Sequence, residues 1–410
     1  MPTALCRVCG AALVDSFVDL GMSPLCESFL PEGRLNEMEP FYPLKAWFCR
    51  GCFLVQLEQY VSAADIFTDY AYFSSYASSW VKHADDYVAQ AVQRLALGPR
   101  SFVVELASND GYLLQSFVRR NIPCLGIEPA ANVARAAIEK GVPTLVKFFD
   151  AELGASLAAE GKRANLVLGN NVIAQVPDVH SFVAGIRNLL APEGTLTLEF
   201  PHLQRLIEGN QFDTIYHEHF SYFSMIALDR ILGAHDLAAV DVEELSTHGG
   251  SLRVWAKRAE AAEPASARLL ELRAREEALG FRSPATYRAF EERVHATKRR
   301  LLSLLIGAKA AGKRIVGYGA PGKGNTLLNY CGIRTDFIEF TVDKNPHKQG
   351  KFLPGTHIPI RAPEKLDEAK PDYIFILPWN FKDEILAQLA HARGWGAKFI
   401  VPIPEATVID

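Results

Sequence analysis

The chain carries no excess of charge of either sign, no run of lysine and arginine, and no long apolar stretch. With 43 basic against 47 acidic residues the formal net charge is -4, so a surface for the phosphates of nucleic acid is not advertised. No segment approaches the roughly 18 consecutive apolar residues of a membrane span, and the first residues lack the basic-then-apolar pattern of a secretion signal. A cytoplasmic protein that touches neither membrane nor nucleic acid is expected. Internal repeats are missing too. What remains is 410 residues, 49% hydrophobic and 22% charged, enough for more than one core and long for a single domain.

Cysteine is sparse and unevenly placed. Four of the seven form two pairs, Cys6-Arg7-Val8-Cys9 and Cys49-Arg50-Gly51-Cys52. Such spacing puts two sulfurs on one tight turn, with Gly10 and Gly51 relaxing the backbone, and four thiolates close a tetrahedral site around zinc without an open position. A structural zinc is therefore expected. Cys26, Cys124 and Cys331 are scattered, which suits a reducing compartment better than a disulfide framework.

Strand-like runs then alternate with helical ones. Residues 102–106 precede Ala107-Ser108-Asn109-Asp110-Gly111, residues 124–127 end in Glu128-Pro129, residues 164–168 end in Gly169-Asn170-Asn171, and residues 195–198 end in Glu199. The pattern predicts a parallel sheet with helices on both faces and a ligand at the carboxyl ends of its strands. Glu128 follows Glu105 by 23 residues, the spacing of an acid that accepts ribose hydroxyls. The loop between them has one glycine, Gly111, where a dinucleotide site has three. A cofactor without phosphates is favoured, and S-adenosylmethionine fits.

A charged, helix-rich stretch over 265–307, broken at Gly280 and Ser283-Pro284, leads to a second α/β unit that opens with Gly317, Gly319 and Gly322 and carries Asp343 further on. This fingerprint suits NAD or any phosphate near a helix N-terminus, a sugar nucleotide included; Lys348 and Lys351 are placed to neutralise a diphosphate. Between the two sheets stands Tyr216-His217-Glu218-His219-Phe220, rich in acid–base groups. If extended, it would put Tyr216 and Glu218 on one face and both histidines on the other. Tyr70 and Tyr72 lie in an aromatic stretch, 67–76, that reads as a loop joining domains.

These segments together resemble the S-adenosylmethionine-dependent sugar C-methyltransferases that act on nucleotide-linked keto-deoxysugars. The likeness rests on the cysteine pairs, on 105–111, 126–129, 169–172 and 216–220, on His248 to Arg253, and on 317–326, and so spans nearly the whole chain. It implies three parts: a zinc-binding domain (1–76), a class I Rossmann-like methyltransferase domain (77–256), and a second Rossmann-like α/β domain for the nucleotide (257–410), with the active site between the last two. It further implies that His219 takes a proton from a sugar carbon beside a ketone, supported by Tyr216 and Glu218; an enolate so formed needs its oxygen held, and the hydroxyls of Tyr70 or Tyr72 are the expected groups for that.

The expected cofactor contacts are Glu105, Ser108, Asn109, Gly111, Glu128, Pro129, Asn170 and Asn171. Those expected for the substrate, a keto-deoxysugar on thymidine diphosphate, are His248, Gly319, Lys323, Asn325, Asp343, Lys348 and Lys351. One departure is Gln175, where relatives tend to have histidine before Val-Pro-Asp; glutamine cannot shuttle a proton. A monomer or small homo-oligomer is expected. The rival readings are an NAD-dependent nucleotide-sugar oxidoreductase and a noncatalytic or RNA-modifying zinc-ribbon protein.

Overall fold

A computed structural model describes residues 4–67, 73–76 and 78–410. The chain packs as two compact units that interleave along the sequence. One comprises residues 1–14, 49–202 and 220–282; the other, residues 15–48, 203–219 and 283–410. Each is α/β.

The first unit is built on a seven-stranded sheet. Its order is Leu237–Leu245, Ser251–Arg258, Leu190–Pro201, Ala164–Asn170, Val103–Leu106, Cys124–Ile127, Thr144–Leu145. The last five strands run parallel, while Ser251–Arg258 inserts antiparallel between its two neighbours. Val103–Leu106 is buried at every position, as a central strand covered on both faces must be. A helix, Ser78–Leu95, precedes the central strand in sequence. Its Tyr87 and Val88 join Phe117, Leu168 and Trp255 in the core on one face. Local chemistry starts four of the other helices. Asp150, Asp178, Ser224 and Ser266 each accept a main-chain N–H as N-cap, typically worth about 1 kcal/mol. Helix Met225–Gly233 has a second, remote cap: the fully buried Glu276 accepts from the N–H groups of Met225 (2.7 Å) and Ile226 (3.0 Å) and from His202 Nε2 (2.7 Å).

The second unit has a six-stranded sheet in the order Ile360–Arg361, Thr341–Val342, Ile315–Tyr318, Tyr373–Ile376, Lys398–Val401, Thr407–Ile409. All neighbours are parallel except the final pair. The break expected at Gly280 and Ser283-Pro284 separates helix Ala267–Ala278 from the 27-residue helix Pro284–Ala310, with proline at the helix start where its missing N–H costs nothing. Tyr287, Phe290, Val294, Leu301 and Leu305 form one buried stripe of the long helix. They meet an antiparallel hairpin, Asp15–Ser23 with Tyr42–Phe48: Phe290 stacks on Phe17 at 4.5 Å and Tyr287 on Phe48 at 4.9 Å. The hairpin lies in sequence between the two cysteine pairs, yet it belongs to this unit.

Candidate active site

The four paired cysteines converge in the first unit, with all four sulfurs within 4.8 Å of one another. Cys6 Sγ is 3.5 Å from Cys52 Sγ, and Cys9 Sγ 3.4 Å from Cys49 Sγ. A zinc–thiolate tetrahedron has edges of about 3.8 Å, so the set fits a structural zinc that four thiolates close off from water. Gln56 Nε2 donates to Cys6 Sγ (3.1 Å) and the Gly51 N–H to Cys49 Sγ (3.3 Å), the outer bonds that fix metal ligands. The role expected for Gly51 is corrected. Left-handed backbone occurs at Gly10 in the first turn and at Phe53 in the second. At Gly51 a Cβ would stand 3.3 Å from Cys9 Sγ, a tight contact against the sulfur cluster.

At the carboxyl ends of the parallel strands, the loop 107–111 takes left-handed φ at Ala107, Asn109 and Gly111. The Glu128 carboxylate closes it, accepting from the N–H groups of Asn109 and Ala130, both at 2.9 Å. Gly126 has no side chain because Ser108 Oγ lies 2.3 Å from where its Cβ would be. Around this loop, buried polar atoms lack any hydrogen-bond partner: Glu105 Oε2, Ser108 Oγ, Asp110 Oδ1, both side-chain atoms of Asn170, and Asn171 Oδ1. Each such group costs about 1–3 kcal/mol unless a ligand satisfies it.

The site is also acidic. Burial, then the neighbouring Glu128 and Asp110, push Glu105 well above the usual carboxylate range; burial raises Glu128 despite its two N–H donors. Orphaned acceptors and crowded carboxyls fit a polar, cationic cofactor and disfavour an anionic pyrophosphate. S-adenosylmethionine, with its sulfonium and ammonium, has that character.

Beside the loop stands a cluster that strand and helix patterns did not reveal. Glu199, fully buried, accepts from His83 Nε2 (2.9 Å) and Arg253 (2.6 Å). Burial would raise it, but these two partners hold it below the usual range. Trp80 stacks on His83 at 4.9 Å and meets His248 edge-on at 5.1 Å. His248 Nε2 lies 3.3 Å from Asn171 Nδ2. His248, expected at the substrate, thus lies against Asn171 at the strand end.

In the second unit, Tyr216 to His219 is a tight turn in which the His219 N–H donates to the Tyr216 carbonyl (2.9 Å). The expected extended segment is therefore corrected, and the alternating-face argument with it; the turn brings the Tyr216 ring to 4.2 Å from the His219 ring. The two histidines also part in character. His217 is buried, bonds the Pro43 carbonyl through Nε2 (3.1 Å), and is kept neutral by burial. His219 is half-buried, and its Nδ1 lies 3.3 Å from the Thr214 carbonyl. A carbonyl only accepts, so Nδ1 carries a hydrogen, and in the neutral form of the imidazole the lone pair is on Nε2. Glu218 is buried and accepts from the Cys26 thiol at 3.6 Å. Tyr70 and Tyr72 lie outside the described residues.

The glycine fingerprint of this unit is filled by the protein itself. A Cβ on Gly317 would stand 2.7 Å from Thr341 Oγ1, one on Gly319 2.6 Å from Pro378, and one on Gly322 2.8 Å from Cys26 Sγ and 3.1 Å from Glu27 Oε1. Asp343 accepts from the Ala320 and Asn345 N–H groups at 2.7 and 2.8 Å. Lys348 pairs with Glu27 (3.2 Å) and donates to the Ala320 carbonyl (2.8 Å), so it is already engaged. Lys323 donates to Asn380 Oδ1 (2.9 Å) and sits over Trp379. Asn325 donates to the Cys26 carbonyl (2.5 Å) and leaves its buried Oδ1 without a partner. Lys351 is half-buried, and Gln175 ends a short 3₁₀ turn of the first unit. Cys26, Glu27, Asp213 and Trp379 escaped sequence reasoning, since their contacts are distant in the chain.

Comparison with known proteins adds three family matches: a zinc binding domain over residues 6–67, a methyltransferase domain over 80–242, and a C-methyltransferase C-terminal domain over 246–404. The C-methyltransferase NovU of Streptomyces niveus is 38% identical over 409 residues, covering 100% of this chain and 97% of that protein. Solved structures are more distant. Magnesium protoporphyrin IX methyltransferase of Synechocystis PCC 6803 with bound SAM matches at 16% identity and TM-score 0.34, over 43% of this chain and 79% of that one. An S-adenosylmethionine-dependent methyltransferase of Clostridium acetobutylicum matches at 9% and 0.35, over 43% and 91%. Among the described residues, no helix is long and apolar enough to cross a membrane.

Proposed function

Because the chain belongs to the C-methyltransferase family and is an S-adenosylmethionine-dependent enzyme, we propose that it methylates the carbon beside the ketone of a keto-deoxysugar linked to a nucleoside diphosphate. Carbon 3 of a 4-keto sugar on thymidine diphosphate is the first choice and carbon 5 the second. The single observation that carries the reading is the contrast between the two histidines of the Tyr216–His219 turn. One is buried, with its pKa pushed down by burial, whereas the other is half-buried with its Nδ1–H on the Thr214 carbonyl, so that its neutral form carries the lone pair on Nε2.

Carbon beside a carbonyl becomes a nucleophile only as an enolate. His219 Nε2 takes the proton, and the electron pair of the broken C–H bond passes to the carbonyl oxygen. Tyr216, close against the imidazole, keeps the ring aligned; Tyr70 or Tyr72 holds the enolate oxygen. Glu105, Ser108, Asn109, Gly111, Glu128, Pro129, Asn170 and Asn171 hold the cofactor, with His248 beside them. When bound, S-adenosylmethionine would supply an electrophilic methyl on a positively charged sulfur for the enolate carbon to take. The ketone is then restored, with the proton left on His219. Asn325, through its unpartnered Oδ1, and Lys351 are the groups of the second unit left to hold the nucleotide sugar; Gly319, Lys323, Asp343 and Lys348 are already engaged by the protein and reach it only by releasing Pro378, Asn380, the Ala320 and Asn345 N–H groups, and Glu27.

The test is His219→Asn. Loss of a positioned base costs about 10²–10⁴-fold in rate. The variant is expected to lose turnover by about 10³-fold while binding S-adenosylhomocysteine and zinc as before. It should also stop exchanging the acceptor's α-hydrogen with solvent deuterium. Turnover at the native rate would place the base elsewhere.

A further inference from the structure

Beneath the turn that carries the base lies a carboxyl group with no evident packing reason to be there. Asp213 is fully buried in the short 3₁₀ turn Phe212–Thr214. Its Oδ2 accepts from the Trp379 indole at 2.7 Å, and its Oδ1 has no partner. Burial costs a carboxylate several kcal/mol unless it is compensated. Here the compensation comes from the nearby amine of Lys323, which itself lies over the Trp379 ring at 4.7 Å, from the indole N–H, and from the main-chain N–H groups of Asp213 and Thr214.

The residue after Asp213 is Thr214, whose carbonyl accepts from His219 Nδ1. The turn is further tied by Thr214, which donates to the Gln211 carbonyl from both N–H (3.1 Å) and Oγ1 (2.7 Å), and by the Ile215 N–H donating to Phe212 (3.1 Å). A rigid chain of bonds therefore runs from the indole of Trp379, through Asp213, to the carbonyl that selects the tautomer of His219.

We propose that Asp213 is the positioning residue for His219: anchored by Trp379, it fixes the turn whose Thr214 carbonyl keeps the proton on Nδ1 and the lone pair on Nε2. The consequence for catalysis rests on the reading of His219 as the base, but the positioning itself does not.

Four full-length variants test it, with zinc content and melting temperature confirming that each is folded. Asp213→Ala is expected to lower kcat by about 10²-fold, the cost of a misplaced catalytic group, with KM little changed. Trp379→Phe should follow in the same direction by a smaller factor. Asp213→Asn keeps an acceptor for the indole and should recover most of what alanine loses, whereas Asp213→Leu, which fills the space without an acceptor, should not; recovery by leucine would mean a merely space-filling role.

The independent readout is ¹⁵N NMR of the histidine rings. His219 should be a single Nδ1–H tautomer in the wild type and the asparagine variant, and a mixture in the alanine and phenylalanine variants. An unchanged tautomer and unchanged kcat in both alanine and phenylalanine variants would overturn the proposal; should alanine fail to fold, Trp379→Phe decides alone. If the tautomer responds as expected but His219→Asn still exchanges the acceptor's α-hydrogen, the base assignment fails and the positioning of His219 by Asp213 stands.

Discussion

The two sheets of this protein carry loops of opposite appearance, and their contents are the reverse of what glycine content suggests. The glycine-rich loop over 317–324 is closed by its own protein, with Pro378, Thr341, Cys26 and Glu27 in the places that glycine leaves empty. The glycine-poor loop over 107–111 is ringed by buried acceptors and amides without partners. Glycine marks where backbone must come close to something, and that something is as often the chain itself. Unpaired buried polar atoms are the better sign of a missing ligand.

The sharpest way to break this comparison is Glu105→Gln. If the acid crowd is what holds a cationic cofactor, losing one carboxylate should weaken S-adenosylmethionine binding by about 10–100-fold, the range for a charged hydrogen bond, as read by calorimetry. NAD should give no binding signal in either protein; saturable NAD binding would make the glycine-rich loop the cofactor site.

Next in size is Gly322→Ala. Its Cβ would press on Cys26 Sγ and Glu27 Oε1, and overpacking of this kind costs about 1–3 kcal/mol. A lowered denaturation midpoint with unchanged cofactor affinity is expected. An alanine that leaves stability untouched would mean the loop is open after all.

The third test uses pH. Glu105 is raised well above the usual carboxylate range by burial and by Glu128 and Asp110, so the protein without cofactor holds it protonated at pH values where free carboxylates are charged. Affinity for the cation should therefore rise as pH passes upward through that raised value. Proton release on binding, counted by calorimetry in buffers of different ionisation enthalpy, should vanish in the glutamine variant. The stability consequence has the opposite sign: the contribution of a raised carboxyl is fully present below its unfolded-state pKa and is lost as pH rises through the folded one.

Smallest is Lys348→Met, which removes a part-buried pair with Glu27. A loss of about 1 kcal/mol or less in stability is expected, with nucleotide affinity little changed. A tenfold loss of nucleotide affinity would return Lys348 to the substrate.

Much of the architecture was legible because its signals are local. The paired cysteines, the strand ends at Glu105, Glu128 and Asn170, and the break between the helices near Gly280 each occupy a few neighbouring residues. The turn at Tyr216 was missed because the sequence Tyr216 to Phe220 has no glycine or proline to mark a turn, and only the bond from His219 to Tyr216 distinguishes it from an extended segment. Glu199, with His83 and Arg253, and Asp213, with Trp379, were invisible for another reason. Each is a lone polar residue whose partner lies more than fifty positions away, and no spacing rule reaches that far.

The interleaving of the two units also sets a timetable for the growing chain. Phe17 and Phe48 emerge from the ribosome early, but the helix that covers them, with Tyr287 and Phe290, is made only after the first unit's last piece is complete. Until then the hairpin waits with an aromatic face in water, the kind of exposed surface that invites chaperones or aggregation. A fragment that begins at Ser283 would meet the complementary problem, an apolar helix face with nothing to fold against, so neither unit is a cassette that can be cut from the chain at a single point.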